Sequence, residues 1–168
     1  MEPRLDYQRA APEAIRPMVA LERYVHESGL ESSLLELVKM RASQLNGCAY
    51  CLDMHSKDAR AEGETEQRLY VLSAWREAPF YTPRERAALA WAEAVTLIGE
   101  AGVSDELFAT AREHFSEAEL VSLTMAVIAI NGWNRLAISF RSREVGSYQH
   151  GARPSGKVEH LAATQGAR

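Results

Sequence analysis

The chain has 168 residues, 46% of them hydrophobic and 25% charged, with a formal net charge of −4. That length supports one domain burying about 70% of its unfolded surface, and the composition excludes a disordered or fibrous protein. The acidic balance and the lack of an interior basic stripe argue against nucleic acid, and no purely apolar run exceeds the length of Met125 to Ile130, far below the ~18 residues of a membrane span.

Taken in chain order, the sequence predicts an N-terminal arm (1–14), a helical domain (15–143) and a C-terminal tail (144–168). Residues 1–17 hold three of the six prolines, and residues 146–168 four of the ten glycines. The first helix spans Glu13 to Ser28, with Ile15, Met18 or Val19, and Tyr24 or Val25 at helical spacing. Further helices are expected near 33–45, 48–62, 66–77, 83–99, 104–114, 117–131 and 133–143. Three starts carry a Ser/Thr-x-x-Glu capping box, in which hydroxyl and carboxylate satisfy orphan amides reciprocally: Ser33 with Glu36, Thr82 with Glu85, and Ser116 with Glu119. Pro83 reinforces the second box at a position where its missing N–H costs nothing. No stretch alternates long enough to predict a strand, so the fold class is all-α, with about six to seven helices. From Arg141 onward five Arg or Lys outnumber two Glu, which reads as a solvated basic tail.

A faint echo relates Met40, Leu45, Asn46 and Gly47 to Met125, Ile130, Asn131 and Gly132, 85 residues on. Both copies are expected to end a helix at Asn-Gly, since either residue tolerates left-handed dihedrals.

Chemistry concentrates at Cys48, Cys51 and His55. On one helix these positions fall within an arc of about 60°. If Gly47 ends the preceding helix, Cys48 lies at the start of the next, where unpaired N–H groups stabilise a thiolate. Two thiols so close cannot staple distant parts of the chain, and the first thirty residues hold no secretory apolar core, so a reducing, cytoplasmic setting is expected. A reactive thiol beside a second one lets a sulfenic acid be captured as a disulfide. His55 is about 6 Å of rise from Cys51 but about 10 Å from Cys48, which makes Cys51 the attacking sulfur and Cys48 the resolving one; the helix dipole argues for the opposite assignment. A zinc site would normally add a second Cys or His pair, and covalent haem requires His where Leu52 stands. Two buried structural cysteines remain a competing reading.

These residues resemble the AhpD-like alkylhydroperoxidases of the carboxymuconolactone decarboxylase superfamily, whose hallmark is a glutamate about twelve residues before CxxCxxxH. Here Glu36 precedes Cys48 by twelve. The flanking words Val38-Lys39-Met40-Arg41-Ala42-Ser43 and Asn131-Gly132-Trp133-Asn134-Arg135 also look like the family, and the likeness covers about residues 15–142. It implies an AhpD-like helical subunit forming trimers or hexamers, and a peroxiredoxin-type antioxidant peroxidase acting on hydroperoxides. The Cys48/Cys51 pair would cycle between dithiol and disulfide, with Glu36 and His55 as proton relay. No bound cofactor or metal is implied, only an external dithiol reductant such as a lipoylated protein. Family members can carry a histidine directly before the second cysteine; here it is Tyr50, whose phenol is a poor base near neutrality. A carboxymuconolactone decarboxylase-like lyase, which would not need the thiols, and a non-peroxidase thiol oxidoreductase or redox sensor are the alternatives.

Glu36 has a structural task as well, closing the Ser33 box. The apolar arc of Leu34, Leu37, Val38, Ala42 and Leu45 leaves it on the opposite, solvent-facing side, so only the family spacing makes it catalytic. Arg41 lies inside that arc and needs a partner, for which a subunit contact is preferred and an anionic substrate is the alternative. His26, His114, His150 and His160 show no partner pattern and read as surface residues. Trp75, Trp91 and Trp133 read as core or interface, and Trp133-Asn134-Arg135 would line the site only if the two Asn-Gly turns pack together.

Overall fold

The structure is a computed structural model and describes residues 2–151. The predicted tail beyond residue 151, with His160, lies outside the described residues. Among the described residues there are helices and no strands: α1 (Tyr7–Ala10), α2 (Pro12–His26), α3 (Ser32–Asn46), α4 (Ala49–Ala61), α5 (Glu66–Val71), α6 (Pro83–Thr96), α7 (Ile98–Ala101), α8 (Asp105–His114) and α9 (Glu117–Phe140). A single 3₁₀ turn, Leu72–Ala74, follows α5. The all-α expectation holds; the helix count is higher because α1 and α7 are four-residue helices too short to leave a periodic signal.

Helix α3 is the central element, packed on α4, α6 and α9. Nine of its fifteen residues are buried, including Glu36 and Lys39, so it is covered on more sides than one apolar arc implies. On one side Val25, Leu35, Val38, Ala88, Ala92 and Val127 form the main core. On another, Leu37, Met40, Leu72, Trp75 and Leu89 form a second cluster. Ala42 and Ile130 close a third around the two cysteines.

Two of the three capping boxes form as read. The Thr82 and Ser116 hydroxyls accept the amides of Glu85 and Glu119, whose carboxylates accept the amides of Thr82 and Ser116 in return. The Ser33 box does not: α3 starts a residue earlier with Glu31 at its cap and no side-chain capping bond, because Glu36 is engaged elsewhere. Arg41 is also corrected. Its Nε donates to Glu93 Oε1 at 2.7 Å, an internal partner on α6 that also accepts from Trp75 Nε1 at 2.8 Å and pairs with Arg76 at 2.6 Å. Burial pushes the Glu93 carboxyl up, but these three donors outweigh it and hold it below its ordinary range.

The Asn-Gly echo divides into two outcomes. Gly47 has φ 70° and closes α3, with the Cys48 amide donating to the Ser43 carbonyl at 3.0 Å. Asn131-Gly132 lies inside α9, which runs unbroken to Phe140; the expected break between 131 and 133 is absent. A Cβ on Gly132 would stand 2.6 Å from Met18 Cε, so this glycine admits α2 closely. By length and composition α9 would pass as a membrane span, since scattered Ser, Thr and Asn interrupt its apolar runs without making it polar. Here it packs against α2, α3, α6 and α8, burying Asn134 and Ser122 along with its apolar residues.

Replacing Gly47 by Ala forces a Cβ into a left-handed conformation and costs about 1 kcal/mol. Gly132→Ala displaces only the flexible end of Met18 and gains helix propensity, changing stability by less than about 1 kcal/mol; paired thermal melts measure the contrast. A second prediction concerns pH. The Ser116 amide and hydroxyl, with Arg84 at 2.7 Å, hold the Glu119 carboxyl down to about 2. A carboxylate depressed in the folded state stabilises above its ordinary range and loses that stabilisation as pH falls. Acid unfolding followed by circular dichroism is therefore less steep between pH 4.5 and 2 in Glu119→Gln than in the parent.

Candidate active site

The site is assembled by the Gly47 turn. Because the left-handed glycine redirects the chain without a long loop, α4 begins directly beside the end of α3. Cys48 caps α4, its Sγ accepting the Cys51 amide at 3.4 Å. Cys51 sits in the first turn, and the two sulfurs are joined in a disulfide. Both cysteines are almost wholly buried, 1% and 2% exposed, against Ala42 of α3 and Ile130 of α9. In this state the sulfurs are not free thiolates, so they do not offer the zinc donors considered above.

His55 follows one turn after Cys51 and is buried. Its Nδ1 lies 2.7 Å from Glu36 Oε2, across from α3. Glu36, expected to face solvent, is 8% exposed, because α4 packs on α3 and brings His55 against it. The four residues singled out by motif and spacing, Glu36, Cys48, Cys51 and His55, are thus brought together. A carboxylate accepting the Nδ1–H of an imidazole fixes the tautomer whose Nε2 carries a lone pair.

Beyond these four, Lys39 Nζ donates to Glu22 Oε1 at 2.6 Å and stands 3.7 Å from Glu36 Oε1. The second Glu22 oxygen accepts from Trp133 Nε1 at 3.2 Å. On α4, Asp58 accepts from Tyr148 Oη at 2.6 Å and lies 2.7 Å from His150 Nδ1, so His150 does have a partner. Burial and the Asp58 carboxylate push the Tyr148 phenol well above its usual range. Lys39 lies one turn from Glu36 and Asp58 one turn from His55, whereas Glu22 and Tyr148 carried no sequence signal, since they stand 14 and 112 residues from Glu36.

Glu36, Cys51 and His55 share a cavity of about 490 Å³. Tyr7, Tyr50, Met54, Trp133 and Arg143 are among the residues of its wall. Cys48 is not among the residues that line it. Tyr50, in the position before the second cysteine, is half-buried, and desolvation pushes its phenol up, so it offers a hydroxyl and not a base. Trp133 reaches the cavity, whereas Asn134 is fully buried and Arg135 folds back onto Asn131. The echo does pack together: Asn46 Nδ2 donates to Asn131 Oδ1 at 2.9 Å and Asn134 Oδ1 at 2.8 Å.

Among the described residues, Glu36, His55 and Asp58 bring ligand-type atoms within 4.8 Å of one another. Each is already hydrogen-bonded, and Lys39 sets a positive charge beside Glu36, which works against a cation at that carboxylate.

The family model described as the carboxymuconolactone decarboxylase family matches residues 12–94. The uncharacterized protein YdfG of Bacillus subtilis is 46% identical over 143 residues, 85% of this chain and 97% of its own. A crystal structure of an Agrobacterium tumefaciens protein of unknown function, described as a putative antioxidant defence protein AhpD, is 50% identical with a TM-score of 0.82, covering 85% of this chain and 98% of that one. The AhpD core of a peroxidase-related protein from Ralstonia eutropha shares the fold at 22% identity and a TM-score of 0.71, over 81% of this chain and 73% of that one. With the hallmark residues gathered around one cavity and these relatives matching most of its length, the chain belongs to the carboxymuconolactone decarboxylase family, as an AhpD-like member.

Proposed function

We propose that the protein is a cysteine-based peroxidase that reduces hydroperoxides through the Cys48/Cys51 pair. The observation that carries this reading is a disulfide whose Cys51 sulfur opens onto the same cavity as a buried Glu36–His55 pair. In the dithiol form, His55 Nε2 takes the Cys51 proton. The thiolate attacks one oxygen of the hydroperoxide and the O–O bond breaks. The departing alkoxide takes up the proton and leaves as the alcohol, and Cys51 becomes a sulfenic acid. Cys48 then attacks that sulfur, expelling water and forming the disulfide. An external dithiol, such as the lipoyl group of a carrier protein, restores the thiols by two exchange steps. The protein binds no cofactor of its own in this cycle.

Cys51 is the attacking sulfur because the cavity reaches it and because the base is on its side. The partly exposed α8 and α9 residues Phe108, Val121 and Ile128 support assembly into a homo-oligomer, trimer or hexamer, which would cover them.

Purified protein consumes an organic hydroperoxide with dihydrolipoamide as reductant, and Cys51→Ser loses this activity by at least about 100-fold. Cys48→Ser stops after one equivalent and leaves a sulfenic acid on Cys51, read by dimedone trapping and mass spectrometry. No consumption with any dithiol defeats the peroxidase reading, and turnover retained in a double Cys→Ser variant shifts it to acid–base lyase chemistry. In the reduced wild type, maleimide labels Cys51 before Cys48, as peptide mass spectrometry of partly labelled protein reports.

A further inference from the structure

Lys39 is the charged group that the cycle above leaves unused. Its side chain is only 10% exposed, and an ammonium taken out of water costs several kcal/mol unless opposite charge is held against it. Two carboxylates do so, Glu22 at 2.6 Å and Glu36 at 3.7 Å. Burial pulls the Lys39 ammonium down, yet these carboxylates outweigh it and hold it above the ordinary lysine range. The outer oxygens of the two acids are occupied as well, Glu22 by the Trp133 indole and Glu36 by the His55 imidazole. Trp133, Glu22, Lys39, Glu36 and His55 therefore form one line of alternating donors and acceptors drawn from α9, α2, α3 and α4.

We propose that Lys39 is a positioning residue that sets the proton count of His55. Its ammonium, 3.7 Å from Glu36 Oε1 on the side away from the imidazole's 2.7 Å contact, offsets part of the negative charge around the ring and so disfavours a second proton on it. Other charged or titratable groups near the ring are Asp58, tied to Tyr148 and His150, and, lining the same cavity, Tyr7, Tyr50 and Arg143. Without Lys39, the carboxylates of Glu22, Glu36 and Asp58 would surround the site with no central cation. The imidazole would then take a second proton and cease to be a base. A purely structural Lys39 would tie α3 to α2 through Glu22 and leave the imidazole unaffected.

The proposal rests on the reading of His55 as the base for Cys51, but its test reads the ring directly. Imidazole ¹⁵N resonances of His55 are followed against pH in the disulfide form, where no thiol titrates. In Lys39→Met the second proton arrives about one pH unit or more higher than in the parent, and Lys39→Arg restores the parent curve. Glu22→Gln moves it the other way, because Lys39 loses its competing carboxylate and turns wholly to Glu36. An unchanged curve in Lys39→Met overturns the proposal, as does a shift of both variants in the same direction with a lowered melting temperature. Should Lys39→Met fail to fold, Lys39→Gln, which removes the charge but keeps a polar end, carries the same test: an upward shift supports the role, and no shift or a downward one overturns it. These outcomes hold whether or not the protein consumes peroxide, so the loss of one reading is distinguishable from the loss of the other.

Discussion

A carboxylate and an imidazole buried against each other set the terms for everything around them. Glu36 and His55 are both largely withdrawn from bulk solvent, and an ionisable side chain so placed is tolerated only where its partners are fixed. Their 2.7 Å hydrogen bond thus requires α3 and α4 to lie side by side in one register. The Gly47 turn is the local device that provides this, reversing the chain within a single left-handed residue. Glu36 cannot then cap its own helix, so the Ser33 box gives way to the site.

The same requirement explains why α3 is central. A helix carrying a buried acid on one side, a buried lysine beside it and apolar residues elsewhere must be covered nearly all round. Helix α9 contributes most of that cover near the cysteines. Asn46, the last residue of α3, is clamped to Asn131 and Asn134 of α9, and Asn134 reaches Ser43 at 3.0 Å. Each such bond is worth about 1 kcal/mol, but an orphaned partner would cost more. The clamp holds the α3–α4 junction against Ile130, where the disulfide is buried, while Gly132 lets Met18 of α2 approach closely enough to bring Glu22 toward Lys39.

Helices and their hydroxyl caps were legible because both depend on residues within one or two turns of each other. Thr82 and Ser116 form their boxes as the spacing predicts, and CxxCxxxH places its three side chains on one face of α4. What could not be read from the wheel was the surrounding of α3. Periodicity assumes one buried face, and Glu36 was assigned to the other; its true neighbour, His55, lies 19 residues away on another helix. Arg41 met the same obstacle, since its counter-charge, Glu93, is 52 residues distant. The helix break expected at Asn131-Gly132 failed for a different reason. Asn-Gly permits a left-handed turn but does not compel one, and in α9 the close approach of α2 gives that glycine another role.

Accessibility separates the two sulfurs: Cys51 lines the cavity and Cys48 does not. A helix N-terminus favours a thiolate on Cys48, while His55 and the cavity favour chemistry at Cys51. In the proposed cycle both reagents enter by the cavity, so the oxidant meets Cys51 and the reducing thiol attacks Cys51 in the disulfide. Cys48 is then the sulfur that leaves. A leaving thiolate departs faster when it is more acidic, and Cys48, capping α4 with the Cys51 amide donating to its sulfur, is placed to accept that charge. In that proposed cycle the dipole serves the reductive half and the imidazole the oxidative half, and a buried Cys48 never has to meet a substrate.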